Sequence, residues 1–489
     1  MGQFVVRGVP ASVLQDSWWL DDADKAQGRA QEIWVRRRRW APGALTLLVA
    51  LADVLFLDHE AGVSLAVFAL TVAAVVWLLL GRRKGLVGPA LLMVLSVLPV
   101  VEYVQALSVA FLLGGSTVAL CWAALGYRDG ASVRRFLGLL PLLAIRQMIE
   151  AAQHGKAVSK PGKIGLTLLR SWGFPLGVAL VLTSLMISAN PLLSDWADQL
   201  WRFDIRLDRV LFWLGMAVLL WPVLAVATDP DLLRPKQGPR RGRRLPSFGL
   251  NAQSVANALI LFNLLLAVQT GMDALYLWGN AGLPDGMSYA EYAHRGAYPL
   301  LVTALLAGAF ALAARPYLGE GRGLRGWMLL WLGQNVLLVI SSLLRLSLYV
   351  EAYGLTYLRI HAAIWMALVA AGLCLTGWQI MRGRPNRWLL TRTAGLALAV
   401  LYACCFINFA ALIARENLRH PQRYDEYYVC NLGAMAAAEI ASSPRATGCR
   451  TIAPQIGNWR EWGFRADRVI RNLQTETGQE TGHENPRRG

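Results

Sequence analysis

Between Ala41 and Ala414 this chain repeats one arrangement: an apolar run long enough to cross a bilayer, then a short polar connection. A hydrocarbon core about 30 Å thick is crossed by a helix of roughly 20 apolar residues. Lipid offers the backbone no hydrogen-bond partners, so each run has to satisfy its own N–H and C=O groups as a helix. A β-barrel would instead show alternating strands of about ten residues. Runs such as Val63–Leu80 and Pro175–Ser188 are apolar all round. Composition agrees: 16% of the 489 residues are charged and mean hydropathy is +0.40, against about 25% charged in soluble domains. The sequence predicts an all-α, polytopic transmembrane helix bundle of about 11 spans at this run length.

The connections alternate in charge, and this fixes orientation. Arg36-Arg37-Arg38-Arg39 precedes the first run, and Arg82-Arg83-Lys84 follows the second. Residues 127–170 carry eight bases and residues 229–245 carry six, while the intervening connections are nearly bare of them. Lys and Arg set topology and acids contribute little, so the N-terminus is expected inside and, with an odd number of spans, the C-terminus outside. The formal net charge of +17 is thereby read as topology and not as a nucleic-acid surface. Residues 1–40 hold no apolar core of a cleavable signal peptide. The expected location is a bacterial plasma (inner) membrane, in a multi-pass arrangement.

Spans are read at about 41–57, 63–80, two within 86–126, and then 171–188, 210–227, 254–278, 298–314, 327–349, 361–381 and 388–414, each near the required length. Three regions follow: a basic cytoplasmic arm at 1–40, a transmembrane helical domain at 41–414, and an external tail at 415–489. Phe136–Ile149 is apolar but short and holds Pro141 and Arg146, which suits an interfacial or re-entrant piece. Of six cysteines, Cys121, Cys374, Cys404 and Cys405 fall in spans. Cys430 and Cys449 fall in the tail, where an oxidising compartment favours a disulfide closing a small module. The polar stretch after about residue 475 has too little apolar surface to fold.

Soluble-enzyme motifs are absent: there is no Walker A, GxSxG, HExxH or CxxC, and the histidines show no metal-ligand spacing. No cofactor or metal site is expected. The most informative polar cluster sits at the external ends of spans 7–10. Span 7 carries Asn263, Gln269 and Asp273, the last two one turn apart on one face. The next loop carries Glu291, His294 and Arg295. Span 9 carries Gln334, Asn335, Ser341, Ser342 and Arg345, followed by Tyr349, Glu351, Tyr353 and Arg359. A charge at membrane depth costs about 3 kcal/mol or more, so it pairs or lines a wet cavity; Asp273 and Arg345 are a candidate pair. Two readings stay open. In one, Asp273, Glu291, Arg295, Arg345, Tyr349, Glu351 and Arg359 line an outward cavity for a small polar or anionic ligand. In the other they hold helices together. Asp53 is an isolated acid in span 1, either an ion or proton site or a helix-end residue, and Glu102 marks a turn. Arg240, Arg241, Arg243 and Arg244 are expected to meet anionic lipid headgroups.

The stretch Leu283–Gly296, reading LPDGMSYAEYAHRG, resembles the external-loop signature of a bacterial inner-membrane family labelled "domain of unknown function 4173". Arg345–Tyr349 with Ala352–Arg359 is similar to its second signature, and Ala189-Asn190-Pro191 fits as well. His294 departs from the basic residue expected there. The resemblance covers roughly Arg170 to Ala414 and implies a polytopic membrane protein without supplying an activity. Three functions are therefore carried: a transporter-like or ligand-binding protein using the cavity, a sensor or assembly scaffold using the tail, and an enzyme acting on lipids or lipid-linked glycans with a base such as Asp58 or Glu60.

Overall fold

A computed structural model of the chain describes residues 40–81, 85–126, 130, 132–138, 207–233, 251–275, 302–303, 305–319, 322–420, 425–446 and 448–483. Among these residues there is no strand. The expected spans at 171–188 and the first part of 298–314, the N-terminal arm, the basic segment 240–244 and the loop holding Glu291 and Arg295 lie outside them. So does most of Phe136–Ile149, although 132–138 is helical and Phe136 is buried.

The longer apolar helices among the described residues are α1 (Trp40–Phe56), α2 (Val63–Leu80), α3 (Val87–Glu102), α4 (Ala106–Leu125), α5 (Leu207–Thr228), α6 (Ala252–Asp273), α7 (Leu305–Gly319), α8 (Arg322–Tyr353), α9 (Tyr357–Arg382) and α10 (Asn386–Cys404). Six of them, α2, α4, α5, α6, α8 and α9, are long and apolar enough to cross a membrane. A seventh crossing is made if α10 is joined to α11 (Phe409–Arg419). These two meet at a 69° bend, so the apolar run read as one span at 388–414 is either a broken span or a re-entrant loop. At 32 residues, α8 is about 48 Å long at 1.5 Å per residue, more than a hydrocarbon core requires.

The chain divides into two compact units. The first comprises residues 1–101 and 109–238. In it α2 packs on α5 and α4 through Val76, Leu80, Leu120, Ala123, Val226 and Ala227, and α1 adds Leu48 against Leu220 and Leu224 of α5. Helices α3 and α4 approach at glycines. A Cβ at Gly115 would collide with the Ser96 side chain, and one at Gly88 with the Trp122 ring. Small residues at a helix crossing let two backbones come close where lipid supplies no hydrophobic drive for association. Asp53 is not isolated. It accepts from Arg209 Nε at 2.9 Å, Arg209 Nη2 at 2.5 Å and Trp213 Nε1 at 2.8 Å.

The second unit comprises residues 102–108 and 239–489. Asn251 and Ser254 start α6 with reciprocal side-chain-to-backbone bonds of 2.7 and 2.9 Å, satisfying two donors that a helix start leaves orphaned. The core of this unit joins α6, α7, α8 and α9 around Leu259, Ala311, Trp331, Leu338 and Met366. Phe262, Phe310 and Trp331 form a three-ring contact with centroids 5.2–5.8 Å apart. At one end Arg325 donates to the Ile380 and Met381 carbonyls, and Arg315 to Arg384 O and Asn386 Oδ1. Arginines are favoured there because the last carbonyls of α9 have no helical donor.

Beyond the bend, α11 joins the tail. Ala410, Ala414 and Leu418 pack with Val429, Ala436, Ile440 and Ala446. Short helices α12 (Glu426–Cys430) and α13 (Ala437–Ala441) follow, and α14 (Phe464–His483) packs on α13 through Val469. A Cys430–Cys449 disulfide closes this module.

Candidate functional site

Helices α6 and α8 run in parallel. Asn263 of α6 lies beside the first turns of α8, where its Nδ2 donates to Trp327 O at 3.1 Å, and Asp273, ten residues on, meets Arg345. The Arg345 side chain reaches back toward its helix N-terminus, as helical side chains do, and its Nη2 donates to Asp273 Oδ1. Asp273 is 1% exposed and Arg345 3%. The same Oδ1 accepts from Gln269 Nε2 at 3.0 Å, one turn back on α6, whereas Asp273 Oδ2 meets no donor among the described residues. Further polar residues lie along both helices. On α6 these are Asn263, Gln269 and Asp273; on α8 they are Gln334, Asn335, Ser341, Ser342 and Arg345. Asn263, Asn335, Ser341 and Ser342 are buried.

The turn after α8 forms a second polar group. Gly354 has φ +77°, a left-handed conformation that glycine takes without penalty. Thr356 caps α9 by accepting from Arg359 N at 3.4 Å. Arg359 Nη1 donates to Tyr353 O at 2.9 Å and also to Gly354 O, and the guanidinium lies 4.3 Å from the Tyr349 ring centroid. Tyr349 stacks in turn on Tyr353 at 5.0 Å, and Glu351 is exposed. Of the sequence candidates, Asp273 and Arg345 come together directly, Arg359 and Tyr349 form a pair of their own at the α8–α9 turn, and Glu291 and Arg295 lie outside the described residues. Among the described residues no group of His, Cys, Asp and Glu is arranged to hold a metal ion.

One cluster went unread in the sequence. Glu102, taken as marking a turn, is 7% exposed and paired with two tail arginines. Arg465 Nε donates to it at 3.3 Å, and Arg468 donates to the same oxygen. Arg465, 4% exposed, also donates to Cys405 O at 2.7 Å and lies 5.0 Å from the Tyr103 ring centroid. Cys405 sits at the bend, where a helix end leaves carbonyls without donors. Asn417 of α11 brackets Leu355, accepting from its N–H at 2.7 Å and donating to its C=O at 2.9 Å. The tail module is thus hydrogen-bonded to the α8–α9 turn, beside the Arg359 group.

A family model described as "Domain of unknown function (DUF4153)" matches residues 43–443. Its number differs from that of the family whose loop motifs this sequence resembles, and both descriptions leave the activity open. No curated protein and no solved structure matches the chain.

Proposed function

The chain belongs to the DUF4153 family, and on the geometry above we propose that it is a multi-pass protein of a bacterial plasma membrane that binds a small polar solute between α6 and α8. The observation that carries this reading is the Asp273–Arg345 pair. Both groups are almost wholly buried, inside helices apolar enough to span a membrane. An ionisable pair at such depth is expensive and faces a bundle interior or a wet cavity, where substrate and ion pathways are built. Among the described residues the second oxygen of Asp273 meets no donor, which leaves an acceptor for a solute to use. The test is native mass spectrometry of the detergent-extracted protein beside an Asp273→Leu/Arg345→Leu variant. A solute-sized adduct on the wild type, missing from the folded variant, supports the site. A bare wild type, or an adduct that both retain, overturns it.

The same proposal carries about 11 crossings, as span length and loop charge require, with the N-terminus inside and the C-terminus outside. The arginine-rich ends of α7–α9 then face the cytoplasm, where Arg240, Arg241, Arg243 and Arg244 meet anionic headgroups. A reporter active only in the cytoplasm should be silent when fused after residue 475, and activity there would reverse the orientation.

A second reading rests on the tail. The disulfide-closed module exposes Tyr427, Ile452 and Trp459, side chains of the kind that anchor protein interfaces. A stable partner that copurifies with the wild type and is lost on Tyr427→Ala/Trp459→Ala would favour a scaffold.

A further inference from the structure

The tail module is bonded to the ends of apolar helices. Asn417 of α11 brackets Leu355, in the turn between α8 and α9, and the Tyr428 hydroxyl accepts from Tyr357 N at 3.1 Å. Arg465 of α14 donates to Glu102, the last residue of α3, and to Cys405 O, one residue past α10. With 32 residues at 1.5 Å each, α8 is about 48 Å long. That is close to the roughly 40–45 Å of a bilayer counted with both headgroup layers. The end of α8, and the module bonded to the turn that follows it, therefore stand at headgroup level.

Around Glu102 the contacts link aromatic rings to arginines. Arg468 donates to Glu102 and lies 4.9 Å from the Phe464 ring centroid, which ties that ring to the end of α3. Trp462 meets Phe464 edge-on at 6.2 Å. Arg465, on the same carboxylate, lies 5.0 Å from the Tyr103 ring. Phe464 is 43% exposed and the Arg468 side chain 47%. They stand one turn apart on α14, whereas Val469 and Leu473 pack against α13.

Aromatic rings concentrate at membrane–water interfaces, among the headgroups. An arginine beside them lays its apolar stem along the rings and keeps its charge in the polar layer. Charge favours phosphate as the partner. Two guanidiniums share the single Glu102 carboxylate, so the group carries a surplus positive charge, and Arg468 holds the exposed part of it.

We propose that the face of the tail module bearing Trp462, Phe464 and Arg468 is a membrane-interface surface. The rings enter the headgroup layer beside the ends of α3 and α10, Arg468 meets phospholipid phosphates, and Arg465, buried on Glu102, fixes how deep the rings reach. This rests on the multi-pass reading above.

The experiment reconstitutes the full chain into vesicles of phosphatidylcholine and phosphatidylglycerol, with the photoreactive aromatic p-benzoylphenylalanine at one position. The test variant is Phe464→p-benzoylphenylalanine. The standard is Leu398→p-benzoylphenylalanine, at an exposed residue within α10. After illumination, mass spectrometry reads what the ring has joined. The expected result is a gain of one phospholipid mass at 464, in a yield similar to that at 398. A polypeptide joined at 464, a partner or a second copy, overturns the proposal. So does the absence of any adduct at 464 while 398 gives lipid. Lipid at neither position overturns the multi-pass reading with it, which separates the two failures. The Cys430–Cys449 disulfide, read on non-reducing gels, reports whether the tail has folded. Should the 464 variant fail that check, Trp462→p-benzoylphenylalanine gives the same comparison.

Discussion

Removing Arg345 alone should damage the protein far more than removing the whole ion pair. With Arg345→Leu, Asp273 keeps, among the described residues, the Gln269 bond at a site 1% exposed. A buried charge stripped of its partner costs about 3–5 kcal/mol. The Coulomb attraction of such a pair at an effective dielectric constant of 20 is about 4 kcal/mol at 4 Å, which is the same size. Asp273→Leu should also destabilise, because it takes the buried carboxylate away from a guanidinium that is 3% exposed. The double leucine variant removes both charges and fills the space, and such replacements run from neutral to stabilising. Its expected stability is within about 1 kcal/mol of wild type by the same reasoning. The assay is a double-mutant cycle by unfolding in mixed micelles, where the cycle isolates the pair from effects of each side chain on its surroundings. A double variant whose loss equals the sum of the two singles would refute the coupling. Single variants within about 0.5 kcal/mol of wild type, the range of neutral surface substitutions, would show that the groups are solvated.

Three further outcomes test the rest of the structure. Glu102→Ala strands Arg465 inside the tail cluster and should cost about 3–5 kcal/mol; limited proteolysis between residues 405 and 475 should accelerate, and unchanged protection would remove the cluster's structural role. Gly115→Leu cannot be accommodated against Ser96, and overpacking of this kind costs about 1–3 kcal/mol or more, read as a lower Tm, while Gly114→Leu one residue away, where space is open, should be tolerated. Cys430→Ser opens the 19-residue separation closed by the disulfide and should cost the tail about 3 kcal/mol, with a mobility difference on non-reducing gels that disappears under reduction.

Much of the helical framework is legible because lipid leaves a span so few options. Apolar runs mark α2, α4, α5, α6, α8 and α9, and the Asn251–Ser254 spacing marks where α6 starts. Asp273 and Arg345 stood out as ionisable residues inside apolar runs, and their pairing follows from the cost of leaving either alone. Contacts made by distant segments were not legible. Glu102 and Arg465 are separated by 363 positions, and Asp53 and Arg209 by 156, so nothing local announces either pair. The bend after α10 was hidden for a different reason. Residues 405–408 hold neither proline nor glycine, the usual causes of a kink. The bend is held by tertiary bonds instead: Arg465 donates to Cys405 O, and Asn408 caps α11 while its Nδ2 donates to Met435 O at 2.8 Å.

The most direct test of the account is a high-resolution cryo-electron microscopy map of the full chain in a lipid nanodisc. The account predicts that α6 and α8 lie within the bilayer density, that Arg345 is bonded to Asp273 Oδ1, and that non-protein density sits within hydrogen-bonding distance of Asp273 Oδ2. A map in which a protein N–H closes that oxygen, with no density between the two helices, would make the pair a structural clamp and contradict the central claim.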